Sequence, residues 1–364
     1  MITCRAPAAR SAIVVASSGE AEGLLPVGTR VPLGGEDAIS RVLKTRQPAR
    51  IDDYATASGI VAEPVRSIGI RGVVATPVVV DVGDQASVEA LADQAIAAYG
   101  RIDTWVNNAG VSIYGPILEQ SLADQRRLFE TNYWGVVHGS AVACAHLKQR
   151  GGALINVGSV LSDVAIPLQG TYCATKHAIR GYTDALRLEL EEEGAPISVT
   201  LIKPSAIDTP YTRHAKNLMP VEPLNPPPVY APDLVAEAIL HCAEHPERDL
   251  YVGGGGKMLA EAGHLAPRLT DKMLEAMMFD MQQSDRQKPP ARPDSLHAPI
   301  EDGEERGDYP GHVAESSVYT KASKHPLITG SLIAGLGLAV LAAWMMGSKP
   351  EGAPSRGRAA SAIR

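Results

Sequence analysis

Tyr172 and Lys176 stand four residues apart in the run TYCATKHAIRGYTDALRLELEEEG, residues 171 to 194. The pattern predicts a helix, so the two side chains share one face, about a turn apart. A phenol with a pKa near ~10 is a poor acid or base at neutral pH, and a neighbouring ammonium favours the phenolate and lowers that value. The pair is a candidate acid/base unit, though ordinary helix surfaces also carry such pairs. Ser159 ends a predicted strand thirteen residues before the tyrosine. From there its hydroxyl can hydrogen-bond a carbonyl oxygen as charge develops on it, or it is simply a turn residue. Asn132 falls inside a predicted helix, where asparagine is unfavourable; it either faces solvent or holds a water on a proton path.

Strands and helices in alternation must position these groups. PVVVDV (77–82), IDTWVNNAG (102–110), ALINVGS (153–159) and ISVTLIKP (197–204) read as strands. Between them lie an amphipathic helix over 87–100 stopped by Gly100, one long helix over 121–152, and the helix of Tyr172 ending at Gly194. Such alternation implies crossover units and a parallel sheet covered on both faces. Ligands of such sheets sit beyond the carboxyl ends of the strands, where NNAG, NVGS and KPSAIDTP all fall. The remainder of the composition narrows the function. A formal charge of −7 and pI near 5.8 leave no basic field for nucleic acid. The cysteines Cys4, Cys144, Cys173 and Cys242 are widely spaced, with neither disulfide nor zinc spacing, so no metal is expected.

Read in order, Asp81-Val82, Asn107-Asn108-Ala109-Gly110, Asn132, Ser159, Tyr172-Cys173-Ala174-Thr175-Lys176 and Lys203-Pro204-Ser205-Ala206-Ile207-Asp208-Thr209-Pro210 resemble the short-chain dehydrogenase/reductase family over about residues 81–255. The resemblance implies a Rossmann-like α/β fold, NAD or NADP as cofactor, and a small-molecule carbonyl or alcohol as substrate. It makes Tyr172 the general acid for carbonyl reduction or the base for alcohol oxidation. Lys176 would lower the pKa of Tyr172 and bind the nicotinamide ribose, Ser159 would orient the substrate oxygen, and Asn132 would order a relay water. Asp81 and Val82 would flank the adenine. Asn108, Ala109 and Gly110 would line the cofactor cleft, with Pro204 alongside and Ile207 and Thr209 touching the nicotinamide amide. Ser205 departs from the family, which commonly has glycine there. Pocket walls are expected from residues 111–116, 160–171 and a Pro-rich lid over 217–232, and their apolar character points to a lipophilic substrate. Many relatives pair through the helices of Asn132 and Tyr172, so a homodimer or tetramer is expected.

The two ends of the chain depart from that family. VVASSGEAEG imitates a phosphate-binding turn, but Val15 and Ala21 replace two of its glycines and Pro26 and Pro32 fall where a helix must start. Residues 12–80 instead resemble part of a GAF domain, carried by LPVGTRVPLGGEDAISRVLKTRQPARIDDYATASGIVAEPVRSIGIRGVVATPVVV. A reductase without its first strands would bare an apolar sheet edge beside the NNAG strand. After the catalytic block, residues 256–325 read as a helical extension and Pro-rich linker. PLITGSLIAGLGLAVLAAWMM (326–346) reads as a single-pass transmembrane helix, and 347–364 as a basic tail. No export signal precedes the catalytic domain, which is expected on the cytoplasmic side of the membrane. Two functions follow: a membrane-tethered NAD(P)-dependent oxidoreductase, or a catalytically impaired fusion or sensor protein with a partial GAF module and no competent cofactor site.

Overall fold

The computed structural model describes residues 78–300 and 304–324, together with four short strand segments nearer the N-terminus. Residues 1–320 form one compact unit, to which everything below belongs; of the second, 321–364, the described part is 321–324. Most of the GAF-like span and all of the apolar run 326–346 lie outside the described residues. In and just before 12–80, Ser11–Ile13 pairs antiparallel with Arg30–Pro32, and Ala49–Ile51 with Val73–Ala75. Among the described residues no helix is long and apolar enough to cross a membrane.

Four parallel strands carry the fold: β1 (Thr104–Asn107), β2 (Gly152–Val157), β3 (Ile197–Pro204) and β4 (Asp249–Val252), in the order β4-β3-β2-β1. Helices connect them: α1 (Gln85–Tyr99), α2 (Leu122–Phe129), α3 (Gly135–Leu147), α4 (Gly170–Glu192) and α5 (Asp233–Glu244). Local chemistry sets their ends. The Asp84 carboxylate accepts from the Ala86 N–H to start α1, and Gly100 stops it at φ 77°, a backbone that glycine alone adopts without cost. The Ser121 hydroxyl likewise accepts from the Asp124 N–H at 3.1 Å and caps α2.

Both faces of the sheet are covered. On one, Ile155 and Ile202 pack with Leu234, Ala238 and Cys242 of α5. On the other, Leu154 and Val199 meet Ala143 and Leu147 of α3 and Leu190 of α4. Each fully buried Leu or Ile contributes about 1.5–3 kcal/mol relative to exposure, so this two-sided core fixes the strand ends that hold the site.

Three expectations are corrected. PVVVDV forms no strand over 78–82: Val79 is 80% exposed and Asp81 turns to meet Arg127, since a lone strand with no ladder partner is not stable. The helix expected over 121–152 is broken by a π-helical turn at Glu130–Trp134. The Pro-rich part of 256–325, read as a linker, is packed where it is described. After two helices, α6 (Gly254–Leu265) and α7 (Pro267–Met281), residues 283–300 form a strap whose Leu296 is buried in the same apolar cluster as Tyr172. Among the described residues β1 pairs on one side only, and Val106 in it is 36% exposed.

Candidate active site

Tyr172 and Lys176 occupy the first two turns of α4 and both are buried. Gly170 opens the helix against Ile117, whose Cδ1 would lie 2.1 Å from a Cβ at 170. The Lys176 ammonium donates to the Val157 carbonyl at 2.9 Å and lies 5.6 Å from the centre of the Tyr172 ring. Burial, which penalises the charged form, dominates both groups: it pushes the Tyr172 phenol up to about 12 and Lys176 down to about 8. The expected lowering of the phenol by Lys176 has no part in this shift. What does pull the phenol down is hydrogen bonding to the hydroxyls of Tyr211 and Ser159.

Ser159 follows β2 and caps a short 3₁₀ turn, accepting from the Leu161 N–H at 3.1 Å while its own N–H donates to the Ser162 hydroxyl at 3.2 Å. That turn is pinned to the sheet by a buried ion network. Asp163 pairs with Lys203 of β3 at 3.2 Å and with Arg180 of α4, and accepts from the Tyr251 hydroxyl of β4 at 2.8 Å. Three elements thus fix where Ser159 stands against Tyr172.

Asn132 sits in the π-helical turn and is fully buried. Its Oδ1 accepts from the Val111 N–H at 2.8 Å, while Nδ2 donates to the Val111 carbonyl at 3.0 Å and to Thr175 Oγ1 at 3.1 Å. It holds the loop after NNAG as a neighbouring strand would, and ties that loop to the helix of Tyr172. A π-turn inserts one residue into a helix and so redirects a side chain inward, which accounts for an asparagine in that place.

These elements surround a cleft of about 640 Å³ at the carboxyl ends of the strands. Of the expected residues, Asn108, Gly110, Ser159, Tyr172, Lys176, Pro204, Ile207 and Thr209 line it. Asn132 lies behind it, and Ala109 is exposed beside it. Asp81 and Val82 are not part of its wall. Asp81 is salt-bridged to Arg127 at 3.1 Å, and the Val82 carbonyl meets the His138 ring at 3.1 Å. Ser205 is accommodated by glycines: its hydroxyl donates to the Gly253 carbonyl at 3.2 Å, and a Cβ on Gly256 would lie 2.3 Å from its Oγ. The expected walls are present as Val111, Leu161, Ile166 and the prolines 226–228.

The residues expected to face the nicotinamide fit that group: an ammonium, a phenol and a hydroxyl line one cleft, and Gly110 stands beside the ammonium, where a Cβ would lie 4.0 Å from Lys176 Nζ. Tyr114 and Gln169 line the cleft within the expected wall segments, whereas sequence reasoning missed Tyr211 and Ser295 of the strap, which line it too. Tyr211 carries no periodic signal in a loop of short elements, and a strap contact such as that of Ser295 with His214, 81 residues distant in sequence, leaves no local trace.

A parallel α/β sheet whose strand ends gather a Ser-Tyr-Lys cluster over a buried asparagine defines an oxidoreductase of the dinucleotide-dependent class. The short chain dehydrogenase family profile matches residues 46–218. The chain is also 44% identical over 259 residues to the uncharacterized oxidoreductase YxnA of Bacillus subtilis (strain 168), covering 70% of this chain and 73% of that protein. The chain belongs to the short-chain dehydrogenase/reductase family. The profile begins inside the span likened to a GAF domain. Another relative, the dehydrogenase/reductase SDR family member 7B of Bos taurus, is 32% identical over 145 residues, 40% of this chain and 44% of that protein. Among solved structures, a short chain dehydrogenase from Burkholderia cenocepacia J2315 in complex with NADP aligns with 28% identity and a TM-score of 0.47, over 55% of this chain and 78% of that one.

Proposed function

We propose that the chain is an NAD(P)-dependent oxidoreductase that reduces a lipophilic carbonyl, or oxidises the corresponding alcohol, with Tyr172 as the proton carrier. The single observation that carries this reading is the convergence of Ser159, Tyr172 and Lys176 on one cleft lined by apolar side chains. The cofactor, when bound, supplies or accepts the hydride. Lys176, whose ammonium already lies in the cleft wall, would hold its nicotinamide ribose, and Pro204, Ile207 and Thr209 its nicotinamide end. Ser159 Oγ, in reach of the phenol, orients the substrate oxygen. Tyr172 then gives its proton to that oxygen during reduction or takes it during oxidation. Asn132 keeps the loop over 108–111 and the start of α4 at a fixed separation.

One observation favours the second reading, a chain with no competent cofactor site: Asp81 and Val82, expected to flank the adenine, stand outside the cleft. Titrating NADPH and NADH into the full chain and following nicotinamide fluorescence separates the two. Saturation at micromolar to submillimolar cofactor supports the oxidoreductase; a flat signal at millimolar cofactor supports the alternative.

A further inference from the structure

We infer that Tyr211 is a positioning residue for Tyr172, a second phenol whose hydroxyl is held so that it can turn its proton toward Tyr172 when Tyr172 gives its own away. Tyr211 opens a single helical turn, Tyr211–His214, and presents its ring edge-on to Tyr172 with centroids 5.7 Å apart at 64°. Its hydroxyl donates to Gln169 Oε1 at 3.1 Å.

The orientation of that acceptor is dictated by a chain of amides. Gln282, fully buried, donates from Nε2 to the carbonyls of Pro167 and Met278, both at 2.9 Å. Its Oε1 must therefore face Gln169, and it accepts from Gln169 Nε2 at 2.8 Å. That leaves the Gln169 oxygen, and no donor, toward Tyr211. While Tyr172 is protonated, Tyr211 donates to Gln169 and offers Tyr172 a lone pair. Once Tyr172 is ionised, a rotation of the Tyr211 O–H replaces a neutral acceptor by a phenolate, the stronger partner.

The turn bearing Tyr211 is fixed from outside by the strap. Arg292 donates to the carbonyls of Thr212 and Ala215, and the N–H and hydroxyl of Ser295 both reach the His214 carbonyl, at 2.8 and 3.0 Å. The other groups facing the Tyr172 phenol are Ser159 from the end of β2, Cys173 and Lys176 from its own helix, and Tyr114 from the loop after β1. Burial raises both phenols; against it, hydrogen bonding to Tyr211 pulls Tyr172 down, while Tyr172 pushes Tyr211 further up and Ser112, which also faces Tyr211, pulls it down.

The effect on turnover rests on the function proposed above; the coupling of the two phenols does not, and it is measured without turnover. Placing 3,5-difluorotyrosine at position 172 of the full chain brings that one phenol's ionisation into a range where the fold survives, and its fluorine resonance reports the midpoint. With Tyr211→Phe, which keeps the ring and its edge-on contacts, the midpoint should rise by about one pH unit. A shift below about 0.3 unit overturns the inference. Separately, loss of turnover in Tyr172→Phe tests the proposed function, so the two failures are told apart.

Discussion

Tyr172 and Lys176 are both withdrawn from water, and burial acts on them in opposite senses, keeping the phenol protonated and pressing the amine toward neutrality. The lysine's shift has a consequence for stability. Below pH 8 the ammonium is carried into the folded protein at its full desolvation penalty. Between about 8 and its ordinary 10.5, the unfolded chain still holds a proton that the folded chain has released, so this contribution to stability rises with pH. Unfolding free energies of the wild type should therefore gain on those of Lys176→Met over that window by on the order of 3 kcal/mol, read from urea denaturation at several pH values. A parallel pair of curves would show that the amine is hydrated. The Tyr-Lys pair was legible from spacing and Ser159 from its place after a strand. The burial that governs both groups was not, because spacing carries no information on solvent access.

At the scale of elements, glycines and buried charges decide how closely the parts of the site approach. Gly139 of α3 lies against β1, where a Cβ would come within 2.0 Å of Asn107 Oδ1. That oxygen already accepts from Trp105 Nε1 at 2.8 Å, and Asn107 Nδ2 donates to Asn156 Oδ1 at 2.8 Å. Gly139→Ala should cost about 2–3 kcal/mol in chemical denaturation through forced displacement of this amide. Asp163→Ala, which leaves Lys203 buried beside fewer acceptors, should cost about 3–5 kcal/mol and also lower turnover by unfixing the Ser159 turn. Helix and strand periods showed α1, α4, β2 and β3 nearly to their ends. They hid the π-turn, because one inserted residue changes no hydrophobic period. Asn132, an unfavourable residue in a helical pattern, was the only trace of it.

For the whole molecule, the main departure from the sequence reading is the strap. A Pro-rich, charged stretch reads as solvated, yet Arg292 pairs with Glu222 at 2.8 Å and Leu296 is 1% exposed. Leu296→Ala should lower stability by about 2–4 kcal/mol, measured by thermal or urea unfolding, and a neutral result would mean that the strap is not part of the core. Composition could not show this, since the partners of 292 and 296 lie far away in the chain. The apolar run 326–346 still supports a membrane tether as a proposal. Full-length chain should stay in the membrane pellet through an alkaline wash, and recovery in the supernatant would count against the tether.

That Tyr172 carries the proton beside a bound nicotinamide is tested by a single-turnover experiment on the full chain with NADPH or NADH and a lipophilic ketone such as cyclohexanone, in wild type and Tyr172→Phe. Both proteins should bind cofactor with the same affinity, while cofactor oxidation in the variant should fall by about a hundredfold or more. Equal oxidation rates in the two proteins would contradict the claim.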